Sequence, residues 1–272
     1  MLAKKWQDHK KKVESAFIVQ PKLNGVRMLY HNNFCQSRDE KFWGANCLGG
    51  IREILRDLPD NIILDGELYC HGMSLQQINS RISVNRKEPH KDEGRIEYHV
   101  FDCLCVDSLD ATQDDRILRL DTIFRQLSSG LVKLVESRTC FSDAEADMHY
   151  SCWLDAGYEG MMYRRNAPYG ILSNCGNKEN RWDTLLKRKD WLDEDCECIG
   201  IVEGEGKYRG STGSLLLQFP DNNATFSAGS GLSDMERQQF FFDPPVGAKV
   251  KVKYEMLSDA GIPLKPVIIL VE

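Results

Sequence analysis

Stretches in which apolar and polar residues alternate, rich in β-branched and aromatic side chains, recur along the first two thirds of the chain: AFIVQPKL, VRMLYHN, NIILDGELYC, RIEYHVFDCL, LVKLVES, YEGMMYRR and TLLKRK. Each predicts a strand. Asn24-Gly25, between the first two, is the favoured pair for a tight type I′ hairpin turn. Elsewhere the period lengthens. Ile117, Leu120, Ile123, Phe124 and Leu127 mark one face of a helix, while Ser74 with Gln77 and Ser142 with Glu145 have the spacing of capping boxes that open two more. Strands and helices do not alternate with the regularity of a parallel α/β fold. The pattern predicts α+β architecture with mostly antiparallel sheets and flanking helices.

The texture changes after about residue 190. CECIGIVEGEG, GSLLLQFPD, NATFSAGS, AKVKVKYEML and KPVIILVE read as five short strands separated by Gly, Pro, Asn and Asp. One helix interrupts them, from Ser233 to about Phe242, opened by the Ser233/Glu236 pair. Five strands and one helix suit a small barrel of the OB type. The boundary falls near KDWLDEDC, giving a domain over 1–189 and a second over 190–272, with a hinge at Asp190 to Asp195.

Composition adds little to this and removes several alternatives. At 272 residues, 42% hydrophobic and 28% charged, with no apolar run long enough to span a bilayer, the chain reads as soluble and globular. The amino-terminal MLAKKWQDHKKKVE lacks the apolar core of a secretory signal, so a cytoplasmic location is expected, and the small size fits a viral or bacterial source. Ten scattered cysteines then read as free, buried thiols. Cys103/Cys105 and Cys196/Cys198 would each share one strand face, without the partners of a structural zinc site. The net charge of −6 argues against a nonspecific nucleic-acid coat but allows a local basic face, and cations do bunch at Lys10 to Lys12, Lys187 to Lys189, Lys207 with Arg209, and Lys249, Lys251 and Lys253.

Lys22, beside Asn24-Gly25, has two readings. It is either a surface lysine flanking a hairpin or, if partly desolvated among other cations, a nucleophile. Its company bears on the choice. LDGELY puts Asp65 and Glu67 on one face of an apolar strand, where two carboxylates are costly unless they bind something. YEGMMYRR places Glu159 before another apolar strand, TLLKRKDW puts Lys187 and Lys189 on one strand face, suited to phosphate oxygens, and CQSRDE adds Arg38. Taken together, these residues describe a metal–nucleotide pocket.

In order and approximate spacing, KLNGVR, Ser37-Arg38, DGELY, YHVFDCL, YEGMMYRR and LLKRK resemble the six motifs of the ATP-dependent DNA ligases, in the covalent nucleotidyltransferase superfamily. GEGKYRGSTGSLLLQF, FSAGSGLSDMERQQF and GAKVKVKYEMLSDAGIP resemble the OB domain of that family, so the likeness covers nearly the whole chain. It implies an adenylation domain followed by an OB domain, without a separate amino-terminal DNA-binding domain. The implied reaction runs through a lysyl-AMP intermediate on Lys22 and a DNA-adenylate, with ATP and Mg²⁺ (or Mn²⁺ in its place) as cofactors and nicked duplex DNA as partner. The implied protein is a monomer acting in replication, recombination or repair.

The resemblance also implies roles. Lys22 is the nucleophile; Arg27 contacts the nucleotide or the nick end; Arg38 lies near the nucleotide and the 5′-phosphate of the nick. Glu67 meets the ribose and, with Glu159, the metal. Phe101 stacks on adenine, Lys187 and Lys189 face the α-phosphate, and Arg181 is a nucleotide-side arginine. Gln20 stands where the family commonly has a glutamate reading the adenine amino group, and its amide oxygen accepts the same bond. Asn24 replaces the usual aspartate. GIPLKPVIILVE replaces an arginine-rich last motif, leaving Lys265 as the cation in place to orient pyrophosphate, so self-adenylation is expected to be slow. The loop GEGKYRGSTGS lacks P-loop spacing and is expected to face DNA with Lys207 and Arg209 on the backbone. Two rivals remain in view: an RNA ligase or capping-type nucleotidyltransferase, and a noncatalytic nick-binding protein on the same fold.

Overall fold

The computed structural model describes residues 2–6, 16–127, 130–170 and 181–272, with only the backbone of Leu2, Arg181 and Trp182. The run Lys10 to Lys12 lies outside the described residues. The chain divides into two compact units, Met1–Lys189 and Asp190–Glu272.

The first unit contains, in chain order, β1 (Leu2–Lys5), β2 (Phe17–Lys22), β3 (Val26–His31), β4 (Phe34–Ser37), α1 (Gly49–Leu55), β5 (Ile62–Tyr69), α2 (Leu75–Ile82), β6 (Glu97–Cys105), α3 (Gln113–Gln126), β7 (Val132–Leu134), β8 (Arg138–Cys140), α4 (Asp143–Asp155), β9 (Gly160–Arg165) and β10 (Arg181–Arg188). They form two five-stranded sheets, ordered β1-β10-β9-β2-β8 and β4-β3-β5-β6-β7. Pairing is antiparallel except β1 with β10 and β6 with β7. The period-two pattern explains the layering, because alternate residues of a strand face opposite sides. In the first sheet Phe17, Val19, Met161, Tyr163 and Leu186 pack against Ala146, Tyr150 and Trp153 of α4. In the second, Met28, Tyr30, Leu64, Leu68, Tyr98 and Val100 pack against Ile51 and Leu55 of α1, Ile78 and Ile82 of α2 and Leu120 of α3. The opposite faces of the two sheets carry the polar residues that line a cavity.

Asn24-Gly25 does not close a hairpin. β2 and β3 belong to different sheets, and no positive φ occurs at either residue. Gly25 is needed for close approach instead: a Cβ there would lie 2.3 Å from the Leu68 carbonyl oxygen and 2.8 Å from Glu67 Cγ. The dipeptide thus passes the chain from the sheet holding Lys22 to the sheet holding Glu67.

The capping pattern is met in full at Ser74/Gln77 and in half at Ser142, whose hydroxyl accepts from Glu145 N while the Glu145 carboxylate turns to the Phe141 amide. α3 has its own box, Thr112 with Asp115. Sequence periodicity missed α1, too short to show a repeat, and the edge strands β1, β4 and β8.

The second unit contains β11 (Leu192–Glu203), β12 (Thr212–Gln218), β13 (Thr225–Ala228), α5 (Asp234–Phe242), β14 (Lys249–Tyr254), β15 (Met256–Leu257), β16 (Pro263–Leu264) and β17 (Val267–Val271). Five of these strands form an antiparallel sheet ordered β13-β12-β11-β14-β17, and one parallel bridge, Ser230–Val267, links its two ends. Leu192 to Asp195, expected as part of a hinge, are paired with β14 as regular strand. The lysine run on β14 is matched by acids: Lys249 lies 2.8 Å from Asp195 and Lys251 3.0 Å from Asp193. The nine described cysteines are free thiols, and Cys103, Cys105, Cys196 and Cys198 sit inside the cores.

The crossover makes a direct prediction. Gly25→Ala should lower stability by about 2–3 kcal/mol in urea unfolding, because the clash is with backbone rather than a movable side chain; a change near zero would mean that the two strands can separate freely.

Candidate active site

A cavity of about 220 Å³ opens between the two sheets of the first unit. β2 supplies Gln20 and Lys22, β3 supplies Arg27, β5 supplies Asp65 and Glu67, β6 supplies Phe101, β9 supplies Met162 and Arg164, and β10 supplies Leu185 and Lys187. Arg38, just beyond β4, also lines it. A larger hollow, about 310 Å³, lies in the second unit among Asp195, Glu197 and Lys249. It is an open groove whose one cation, Lys249, is already paired with Asp195, so chemistry favours the smaller cavity.

Lys22 ends β2, and its ammonium is ion-paired with Glu159 Oε2, the Glu159 amide donating back to the Lys22 carbonyl oxygen. Lys189 Nζ reaches the other oxygen of Glu159 at 3.3 Å. The expectation of two lysines side by side on one strand face is therefore corrected. β10 ends at Arg188, so Lys187 lines the cavity while Lys189, past the strand, holds Glu159. Gly160 permits this junction, since a Cβ there would lie 2.2 Å from the Arg188 carbonyl oxygen.

The two strand-borne acids of β5 differ sharply in environment. Asp65 accepts from Arg27 Nε at 2.8 Å, Arg27 Nη2 at 2.7 Å and the Tyr169 hydroxyl at 2.7 Å. Burial is the largest single influence and opposes its charge, but the charge and hydrogen bonds of Arg27 together with the Tyr169 hydrogen bond hold the carboxyl below its ordinary range. Burial likewise works against the Arg27 charge, and Asp65 offsets it so that the guanidinium stays firmly protonated. Glu67 has no hydrogen bond to its carboxylate among the described residues. Burial pushes its pKa up to about 8, against the pull of Lys22 and Arg27. No group of three or more His, Cys, Asp or Glu able to hold a metal occurs among the described residues.

The base of the cavity holds a network that the sequence did not announce. Gln20 is 2% exposed. Its Nε2 donates to the Phe101 carbonyl oxygen at 3.0 Å and to Ser137 Oγ at 2.9 Å, while its Oε1 accepts from Arg164 Nε at 2.6 Å. The amide oxygen expected to meet adenine is thus already bonded to Arg164. Arg164 Nη1 donates to Asp102 Oδ2 at 2.8 Å, and Arg116 Nε donates to Asp102 Oδ1 at 2.7 Å. Burial is the larger influence on Arg164 and lowers its pKa despite Asp102. The visible signal was a charge interrupting an apolar strand, Asp102 in FDCL and Arg164 in MMYRR.

With this geometry, comparison with known proteins is decisive. Residues 1–189 match the ATP dependent DNA ligase domain, and residues 203–271 match the DNA ligase OB-like domain. The chain belongs to the ATP-dependent DNA ligase family. Among its relatives, a DNA ligase of African swine fever virus is 28% identical over 91% of this chain and 61% of its own length. A DNA ligase of Methanopyrus kandleri is 30% identical over 89% of this chain and 47% of its own length. The chain thus spans about three fifths or less of these curated relatives. In fold it is similar to a Lig E DNA ligase described as binding DNA with a minimal scaffold, with TM-score 0.83 and 22% identity over 100% of this chain and 98% of that one. It is also similar to the Chlorella virus DNA ligase-adenylate, with TM-score 0.55 and 22% identity over 100% and 96%.

Other ligase-motif residues fall outside the cavity. Lys207 and Arg209 are exposed in the loop between β11 and β12, and Lys207 Nζ lies 4.3 Å from the Tyr208 ring centroid. Lys265 pairs with Glu255 at 2.7 Å in the second unit. Arg181 begins β10, but its side chain lies outside the described residues. Arg38, by contrast, lines the cavity at its edge and is largely exposed, with Asp39 3.9 Å away.

The electrostatics predict two outcomes. An unfolded chain releases the Glu67 proton near the ordinary 4.5 and the folded chain near 8, so between these values the folded state holds the extra proton and stability falls as pH rises. Glu67→Gln escapes this loss. Relative to the unsubstituted protein, its free energy of unfolding from urea titrations should rise between about pH 5 and 8 by a few kcal/mol at most, at about 1.4 kcal/mol per pH unit, and then level off; a pH-independent difference would contradict the shift. Asp102→Ala should cost about 3–5 kcal/mol, because it leaves two buried guanidinium groups without their anion; tolerance of it in the same assay would show that water reaches the site.

Proposed function

We propose that this chain is the catalytic core of an ATP-dependent DNA ligase that seals nicks in duplex DNA. The observation that carries the reading is Lys22, held at a cavity between two sheets with its ammonium on Glu159 and with Glu67 across the crossover, in a chain of this family.

In the first step Lys22 Nζ gives its proton to Glu159 and attacks the α-phosphorus of ATP. The bond from that phosphorus to the bridging β-phosphate oxygen breaks, pyrophosphate leaves, and a phosphoramidate joins Nζ to AMP. In the second step an oxygen of the 5′-phosphate at the nick attacks the same phosphorus, the N–P bond breaks and Lys22 regains a proton. In the third the 3′-hydroxyl attacks the 5′-phosphorus, gives up its proton, and AMP leaves.

This reading gives the cavity residues separate tasks. Phe101 and Met162 flank the base, Glu67 meets the ribose, Lys187 meets the α-phosphate, and Lys189 keeps Glu159 in place. Arg38, exposed at the cavity edge, suits the 5′-phosphate of the nick, and Lys207 with Arg209 suits the DNA backbone. Glu67 and Glu159 match the one or two carboxylates that Mg²⁺ takes from protein when phosphates complete its shell. When bound, the ion neutralises phosphate charge that would repel each nucleophile.

The test is intact mass after incubation with Mg²⁺ and ATP, GTP or NAD⁺, using protein first stripped of AMP with pyrophosphate, beside Lys22→Ala. The expected result is one AMP adduct from ATP alone, absent from the variant and discharged by nicked duplex with sealing. No adduct on the stripped protein would end the catalytic reading; an adduct not discharged by nicked DNA would point to a different acceptor.

A further inference from the structure

Arg237 of α5 is a guanidinium buried in the second unit, 6% exposed, and no step of the proposed reaction uses it. Its hydrogen bonds go to backbone. Nη1 donates to the carbonyl oxygens of Thr212 at 2.9 Å and Gly213 at 2.6 Å, and Nη2 donates to that of Gly229. Nε is buried with no partner among the described residues. A buried cation whose bonds end on no carboxylate is costly, and a neutral amide could meet carbonyl oxygens as well. The charge must serve something else.

What lies beside it is the loop between β11 and β12. The guanidinium carbon is 4.2 Å from the centroid of the Tyr208 ring, and Lys207 Nζ is 4.3 Å from the same centroid. Tyr208 ends a short helical turn, Gly206–Tyr208, and its carbonyl oxygen accepts from Ser211 N at 3.0 Å and Ser211 Oγ at 2.8 Å. The turn is pressed onto the strand end, since a Cβ on Gly204 would lie 2.4 Å from that of Tyr208. Ring and backbone are therefore both anchored. Two cations over one ring are each attracted to it but repel one another, so both gain when an anion arrives. Lys207 is exposed and Arg237 is not, so the anion meets Lys207.

We propose that Arg237 is a positioning residue for DNA binding: through the Tyr208 ring it sets Lys207 against a phosphate of the duplex backbone, without touching DNA itself. The inference rests on the reading of this loop as DNA-facing given above.

The test measures the Kd of the full-length protein for nicked duplex by fluorescence anisotropy over a range of salt. The variants are Lys207→Ala, Arg237→Met and Tyr208→Leu, with Lys207→Ala also combined with each of the other two. Lys207→Ala should raise Kd about fivefold at physiological salt and reduce the slope of log K against log salt by about 0.9, the value of one phosphate contact. Arg237→Met should do nearly the same, and adding it to Lys207→Ala should change little further. Tyr208→Leu leaves Arg237 on its carbonyl oxygens and should behave alike, which decides the matter even where Arg237→Met fails to fold. An arginine that only stabilised the fold would weaken binding equally in both backgrounds. Additive losses, or a Tyr208→Leu or folded Arg237→Met protein that binds like the unsubstituted one, would overturn the inference and leave the loop's contact with DNA standing. Lys207→Ala without effect on Kd or slope would remove the DNA-facing reading of the loop, and the inference with it.

Discussion

A carboxylate with no access to water, Asp102, ties the first unit together. It sits on β6 of one sheet and bonds Arg164 on β9 of the other, while Arg116 on α3 approaches it from the helical layer. Two buried guanidinium groups need an anion, and a buried anion needs donors, so none of the three can move without stranding the others. Arg116 extends the tie by donating to the carbonyl oxygens of Ala111 and Ala167 and to Gln113. The spacing of the two sheets, and so the width of the cavity between them, follows from this contact and from the glycine crossover at residue 25.

Within that frame, identical chemical groups acquire different properties by position. Asp65 and Glu67 are two residues apart on one strand, yet one is held ionised by Arg27 and the other holds its proton to about pH 8. The first serves as a fixed structural charge. The second is a carboxylate whose charge is costly until a cation or a hydrogen-bond donor arrives, which is what a binding group requires. Lys22 is likewise defined by company: on an isolated hairpin it would be a solvated cation, whereas here it shares Glu159 with Lys189.

Much of the candidate site was legible because strand alternation places residues reliably on faces. Gln20 with Lys22 and Met162 with Arg164 line the cavity for that reason, and the buried Phe17, Val19, Met161 and Tyr163 line the core for the same reason. Errors arose where alternation stopped. Lys189 lies one residue past the end of β10, and Asn24-Gly25 has hairpin chemistry but connects two sheets. The bonding of Gln20 was beyond reach, since its partners Phe101, Ser137 and Arg164 are 81, 117 and 144 residues away.

By itself the sequence determined the α+β class, the change of texture near residue 190, the strands that carry Lys22, Glu67 and Phe101, the strand that Glu159 precedes, and, through resemblance, the family. These are properties of local pattern and of motif order, which a linear chain records directly. Only the tertiary structure decided which charges meet. Ion pairs such as Arg27 with Asp65, Lys189 with Glu159 and Arg164 with Asp102 depend on strand register and sheet spacing, and their energies depend on burial. Neither register nor burial is written at any one position, because each is set by how distant segments pack.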